Sequence, residues 1–305
     1  MNGEQGDTAT TIVIPVAMVL AGLAAYSAMD AVMKGLSIAL GAYNALFWRY
    51  AGGVIIASLL YLPRRTPWPA KQVRRLFLIR GVVTAIMAFA FFWGLARTPL
   101  AEGIALSFIA PLIALYLAAV LLGERIGKVA IIASMLGLAG VAVILAGKMG
   151  DGRFDRDAMF GVAAILFSAV LYAWNLILQR QQALVAGPVA ILFFQNIIVF
   201  AIFACFAPFL AAPPPADLWP EIALSTLFAI AALLLISWGY ARAEAQHLVS
   251  LEYSAFLWAA LFGWYFFAES LTFATLAGTI LIVSGCLLVA WRRPKKAELI
   301  EGAPL

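Results

Sequence analysis

The chain has 305 residues, of which 65% are hydrophobic and 11% charged, with a mean hydropathy of +1.00. Ordinary soluble domains carry roughly 45–50% apolar and about 25% charged residues. Here 20 Lys and Arg and 15 Asp and Glu would have to cover a 32.7 kDa particle, so most of the outside faces lipid, which excludes a soluble enzyme and a disordered chain.

Crossing a hydrocarbon core of roughly 30 Å takes about 20 residues of helix. Apolar runs predict ten such spans, at 12 to 33, 41 to 62, 76 to 96, 103 to 122, 129 to 147, 158 to 178, 188 to 210, 222 to 241, 248 to 268 and 271 to 291. The runs are continuous and lack period-2 alternation, so the class is an all-α integral membrane protein and not a barrel. The longest connections, 63 to 75 and 148 to 157, leave no room for a separate soluble domain, and function belongs inside the bundle. The opening stretch MNGEQGDTATT has neither a charged n-region nor a small-x-small cleavage site, so the first span reads as a retained helix. Cys205 and Cys286 fall inside apolar spans as buried neutral thiols and imply no disulfide or metal framework.

With a cytoplasmic N-terminus, the inner loops and the tail hold thirteen Lys and Arg, five of them in the first inner loop (Arg64, Arg65, Lys71, Arg74, Arg75). The outer side holds five, namely Lys34, Arg97, Lys148, Arg153 and Arg156. This asymmetry places both termini of a multi-pass protein on the cytoplasmic side. The basic balance reflects loop orientation, and no nucleic-acid partner is expected.

Sliding the chain against itself by 145 residues aligns the segment from Trp93 with that from Trp238 without a gap. Identical pairs include Gly94/Gly239, Arg97/Arg242, Leu106/Leu251, Ala110/Ala255, Glu124/Glu269 and Gly140/Gly285, and the same offset lays Asp30 over Asn175. Two halves of five spans follow, residues 1 to 147 and 148 to 305. Five is odd, so the second half crosses in the opposite sense, giving two inverted repeats about an axis in the membrane plane, as in many secondary transporters. The blander reading is a duplicated helical bundle without a cavity.

The segments ALSFIAPLIALYLAAVLLGER (105 to 125) and SLEYSAFLWAALFGWYFFAES (250 to 270), the small-Gly runs GLAGVAVILAG and AGTILIVSG, and ALFWRYAGG in the second span resemble the EamA family of the drug/metabolite transporter superfamily. The resemblance covers the whole chain in two copies. It implies a metabolite exporter, with a likeness to exporters of aromatic amino acids, and a central cavity lined by helices three, four, eight and nine. One departure is that Phe256 stands where the first copy has Pro111, so a kink is expected in one half only.

Pro111 removes a backbone hydrogen bond and is the candidate hinge. The small residues around it, Ser107 among them, read either as helix packing or as cavity lining. Charges inside a bilayer are the sharper signal. Arg80 begins its span close enough to the inner face to snorkel, and reads as structural. Asp30 and Arg49 lie towards the outer ends of consecutive spans, either as a structural pair, Asp30 with Arg49 or with Lys34, or as contacts for substrate charge or a proton. Glu252, opposite Ser107 in the repeat, is a candidate inner gate or ammonium binder, and His247 beside it reads as interfacial or as a relay.

Trp48, Trp68, Trp219 and Trp291 sit near span ends as an interfacial belt. Trp174 and Trp258 fall in mid-span, and Trp174 with Asn175, Gln195, Asn196, Phe91, Tyr253 and Phe256 would form an aromatic pocket with a few amides, unless the rings face lipid or core. The expected function is export of amino acids, aromatic and other neutral ones, by alternating access, with no chemistry on the substrate. No P-loop is present, and no cofactor or metal is expected; a monomer suffices. The alternatives are proton-coupled extrusion of drugs or amphipathic cations, and a non-transporting membrane scaffold.

Overall fold

The computed structural model describes residues 4–64, 68–122, 128–150, 156–183, 185–240 and 249–290, and among these all regular structure is helical. A helical stretch over Glu4–Tyr61 is interrupted once, at Gly41, whose φ of 78° and ψ of 150° suit glycine alone. Its arms are α1 (residues 4–40) and α2 (residues 42–61). There follow α3 (Lys71–Leu95), α4 (Leu100–Ser107), α5 (Ala110–Leu122), α6 (Lys128–Gly150), α7 (Arg156–Ala183), α8 (Pro188–Leu210), α9 (Trp219–Tyr240), α10 (Ser254–Phe267) and α11 (Phe273–Ala290). Short 3-10 turns occupy Leu62–Arg64, Ala216–Leu218 and Val249–Tyr253. Five helical stretches are long and apolar enough to cross a bilayer, and the stretches Leu100–Ala114, Ile131–Gly147 and Phe273–Gly285 are apolar but shorter.

The single-residue turn changes the depth of two charges. The first helix does not stop near residue 33 but continues to 40, so Lys34 is within α1 and not in a loop. Asp30 then lies ten residues before the end of α1, about 15 Å of helix, which is near mid-membrane.

Helices pair through glycines. A Cβ on Gly94 of α3 would stand 2.5 Å from the Gly161 carbonyl oxygen and 2.8 Å from Ile165, both on α7. A Cβ on Gly239 of α9 would stand 3.0 Å from the Pro15 carbonyl oxygen and 2.4 Å from Val19, both on α1. On the third crossing, a Cβ on Gly140 of α6 would come 2.5 Å from the Gly278 carbonyl oxygen, and one on Gly285 of α11 would come 2.6 Å from that of Ala133. Membrane helices gain little from the hydrophobic effect against each other, so small residues that bring backbones together supply the packing.

Two buried clusters form the interior. One joins α1, α2, α3, α8 and α9 through Met33, Leu46, Phe92 and Phe203; the other joins α4 to α7, α10 and α11 through Leu106, Ile144, Ile165 and Ile282. Phe91 and Phe108 pack against both. Outside, Ile55, Leu59, Met135, Leu138, Phe209 and Phe273 are exposed, a surface suited to acyl chains. Cys205 is exposed on this surface and is not part of the core; the side chain of Cys286 lies outside the described residues, as do His247 and Trp291.

The fourth predicted span is broken. α4 ends at Ser107, Phe108 and Ile109 form a turn, and Pro111 is the second residue of α5, where its missing N–H costs least. The expectation of a kink in one half only is corrected: the Val249–Tyr253 3-10 turn gives way to α10 at Ser254, one residue before the counterpart of Ala110 in the repeat, although Phe256 replaces the proline there. Poorer 3-10 geometry produces the second break without proline.

Gly140→Ala should lower the melting temperature in detergent, at a cost of about 1–3 kcal/mol, because its methyl meets a backbone carbonyl that cannot rotate away. Gly35→Ala is the control: its Cβ meets only a Phe267 ring atom, at 4.0 Å, and it should be neutral or stabilising.

Candidate functional site: a polar cavity within the bundle

Tyr26 and Asp30 occupy the face of α1 that also carries Val19, Leu23, Met33 and Ser37, all buried. Tyr26 is nevertheless 43% accessible, and it is enclosed by Asp30, Arg49, Tyr50 and Arg80 closely enough for their charges to act on it. On α7, Tyr172 shares a face with Ser168, Asn175, Gln179 and Gln182; it is 37% accessible and feels Glu252, Tyr26, Asp30 and Arg80. A side chain on a buried face, surrounded by other elements and still accessible, borders a cavity. The charged and phenolic groups on its wall thus come from α1, α2, α3, α7 and the 3-10 turn before α10.

Arg80 does not snorkel. The α3 helix starts at Lys71, five residues before the predicted span, so Arg80 sits about 14 Å along it. Arg80 is 8% exposed, and its guanidinium is held by α7 amides: Nε donates to Asn175 Oδ1 at 3.0 Å, one terminal nitrogen to Gln182 Oε1 at 2.5 Å and the other to Gln179 Oε1 at 3.2 Å. Thr84 Oγ1 also donates to Asn175 Oδ1, at 3.2 Å. The spacing Asn175, Gln179, Gln182 is one helical stripe, and this polar stripe in an apolar helix was the sequence signal for the clamp.

Arg49 and Asp30 behave differently. Both are at least nine-tenths buried, at 9% and 8% exposure, and neither forms an ion pair with a described residue. The Nε of Arg49 has no hydrogen-bond partner, while its guanidinium carbon lies 4.0 Å from the Tyr50 ring centre. Among the described residues, Arg49 is the cation close enough to Asp30 to act on it. The expected closed pair is therefore replaced by two opposite charges that share a space without meeting.

Lys34 does not pair with Asp30 either. Its ammonium donates to a Glu269 carboxylate oxygen and, at 2.6 Å, to the Thr98 carbonyl, and the other Glu269 oxygen accepts from Leu100 N–H at 2.7 Å. This knot ties α1, the α3–α4 connection and the end of α10 together at the Gly41 end of the bundle. A cavity of about 10 Å³ beside it, lined by Pro99, Glu102, Glu269 and Thr275, has room for roughly one water.

The remaining candidates separate. Trp174 is 42% accessible and lies with exposed Phe167 and Val170 on the opposite face of α7 from Tyr172, so it points away from the cavity. Tyr253 packs edge-on against Phe108, with ring centres 5.4 Å apart, next to the two helix breaks. Phe256 is buried in the second cluster. Ser107 donates to Gly103 O within its own helix at 2.9 Å. Asn196 donates to Leu192 O at 2.8 Å, and its Oδ1 lies where a Cβ on Gly53 would be, 2.1 Å away, so it holds α8 against α2. The amide atoms of Gln195 are buried without partners. Glu252 is exposed and faces Tyr172 electrostatically. Sequence reasoning missed Tyr26, Tyr50, Gln179 and Gln182.

A bundle that presents an apolar exterior and encloses a cavity of charges and phenols has the construction of a solute carrier. The sequence profile of the EamA-like transporter family matches the chain twice, over residues 13–146 and 159–291, and the chain belongs to that family. Among its relatives are the pseudopaline exporter of Pseudomonas aeruginosa, 26% identical over 89% of this chain and 93% of that one, and the riboflavin transporter of Rhizobium johnstonii, 29% identical over 89% of each. An S-adenosylmethionine uptake transporter of Rickettsia bellii is 21% identical over 95% of this chain and 97% of its own. A solved crystal structure matches in fold at a TM-score of 0.59, with 20% identity, covering 92% of this chain and 96% of that one. The protein is thus a multi-pass membrane protein of a metabolite transporter family.

Glu269→Ala removes the carboxylate that neutralises a 4%-exposed ammonium and should cost about 3–5 kcal/mol of stability, measured as denaturant resistance in detergent. Lys34→Met combined with Glu269→Leu should recover much of that loss.

Proposed function

We propose that the protein is a secondary transporter that exports amino acids and related zwitterionic metabolites across a bacterial inner membrane by alternating access. The observation that carries this reading is the cavity in which Asp30 and Arg49 stand nine-tenths buried and unpaired with each other. Opposite charges left open to one space, inside a bundle soluble in lipid, suit a small molecule that carries both signs. The relatives' substrates, pseudopaline, riboflavin and S-adenosylmethionine, support a metabolite rather than an ion. Tyr26, Tyr50 and Tyr172 give the cavity the aromatic surface that likeness to aromatic amino-acid exporters calls for, in place of Trp174.

In this reading the chain crosses ten times, as inverted repeats 1–147 and 148–305 with both termini cytoplasmic. Three findings support it: the double family match, the two helix breaks within one residue of corresponding positions, and the glycine crossings. The contact of Gly140 with Gly278 maps onto that of Ala133 with Gly285 when the halves are exchanged. The Gly41 end is then periplasmic, and the Lys34–Glu269 knot is the outer seal. Below it the cavity runs from Asp30 past Tyr26 to Glu252, open towards the inner half. Export requires the seal to part as the inner side closes, and the substrate must bind the two states unequally for this to be driven. The paired helix breaks supply points at which each half can bend.

The test is counterflow of labelled amino acids in proteoliposomes, where a scaffold gives no saturable exchange. Asn175→Leu should slow exchange by about tenfold or more by loosening Arg80, whereas Trp174→Ala should leave both rate and selectivity unchanged. A slow Trp174→Ala variant with altered selectivity would return that side chain to the pocket.

A further inference from the structure

Around Tyr26, the described side chains bring more positive than negative charge. Among the described residues, Arg80 is held by neutral acceptors only: the three side-chain amides engage three of its five N–H donors and offset none of its charge. The groups that act electrostatically on it are the phenols of Tyr26, Tyr50 and Tyr172, with no carboxylate among them. Arg49 has a buried Nε without an acceptor. Tyr26 lies within reach of both guanidinium groups and of Asp30, so all three border one space. Glu252 is placed towards the other end of that space, near Tyr172, and is not among the charges that act on Asp30 or Arg80. Among the described residues, the charges that act on Tyr26 are therefore two cations and one anion.

Complementarity fixes the class of solute that closes this set. A neutral amino acid brings one carboxylate and one ammonium and leaves a guanidinium over. An amphipathic cation adds to the surplus. A solute with two carboxylates and one ammonium matches all three groups, and guanidinium–carboxylate contacts are among the strongest hydrogen bonds a protein makes. Resting on the transport reading above, we propose that the preferred substrate is an amino dicarboxylate, whose carboxylates are received by Arg49 and Arg80 and whose ammonium is received by Asp30. The amide clamp makes Arg80 a fixed receptor, since Asn175, Gln179 and Gln182 hold its plane while two donors stay free for the solute. Arg49, packed on Tyr50 without an acceptor for its Nε, is the receptor that gains most on binding.

The experiment uses the full-length protein in proteoliposomes preloaded with unlabelled solute, with radiolabelled glutamate, and compares competition by glutamate, glutamine and glutarate. Glutamine lacks the second carboxylate and glutarate lacks the ammonium; each should compete about tenfold or more weakly than glutamate. Arg80→Gln or Arg49→Gln should abolish the preference for glutamate over glutamine, and Asp30→Asn the preference for glutamate over glutarate. Arg49→Lys, which keeps charge without the fork, should retain part of it. Melting temperature and size-exclusion profile establish that each variant is folded, and where one is not, the three-solute series on the unaltered protein decides alone. Saturable exchange of phenylalanine, threonine or methionine with no preference for glutamate over glutamine overturns the amino-dicarboxylate assignment and leaves the transport reading standing. No saturable exchange of any of these solutes overturns both.

Discussion

Hydrocarbon supplies no hydrogen-bond partners, so a guanidinium within a membrane bundle must find acceptors in the protein, and the placement of Arg80 depends on this. A charge at the bilayer centre costs about 2.5–3.5 kcal/mol on insertion scales, and the α7 amide stripe offsets that cost by turning inward. Once α7 presents Asn175, Gln179 and Gln182 to α3, its opposite face, with Phe167, Val170 and Trp174, has to meet lipid. The position of Tyr172 on the cavity wall follows from the same rotation. One polar contact thus sets which face of a 28-residue helix lines the interior.

The glycine crossings supply the close approach that makes such a contact possible. With Gly94 against Gly161, α3 and α7 run near enough for an arginine on one to reach amides on the other. The equivalent crossing of α1 and α9 runs through Gly239, Pro15 and Val19. Bulky side chains at these points would push the helices apart and open the polar groups to lipid.

Helix class and approximate span positions were legible because a bilayer demands long apolar runs, and the repeated segments were legible as aligned residues such as Gly94 and Gly239, with the family profile matching the chain twice. Boundaries were less so. Hydropathy ended the first span at Lys34 because a lysine looks like a loop residue, and only a partner 235 residues away, Glu269, makes it an interior one. Arg80 misled for the same reason: a charge near a span end snorkels unless the neighbouring helix offers acceptors, and that depends on tertiary pairing. Trp174 and Asn175 are adjacent in sequence, yet a turn of about 100° per residue separates an inward amide from an outward indole, and the reading of mid-span depth alone could not distinguish them. The second helix break was hidden because it arises from 3-10 geometry and not from a proline.

The chemistry of the Arg80 clamp has a consequence for how such a carrier meets changes in acidity. An arginine oriented by carboxylates loses its mounting when they take up protons, so its direction and its charge balance vary together. Asn175, Gln179 and Gln182 do not titrate, and the guanidinium they hold stays aimed the same way on the acidic and the neutral side of a membrane. Sensitivity to proton concentration therefore lies outside this clamp, and the frame that it provides stays constant.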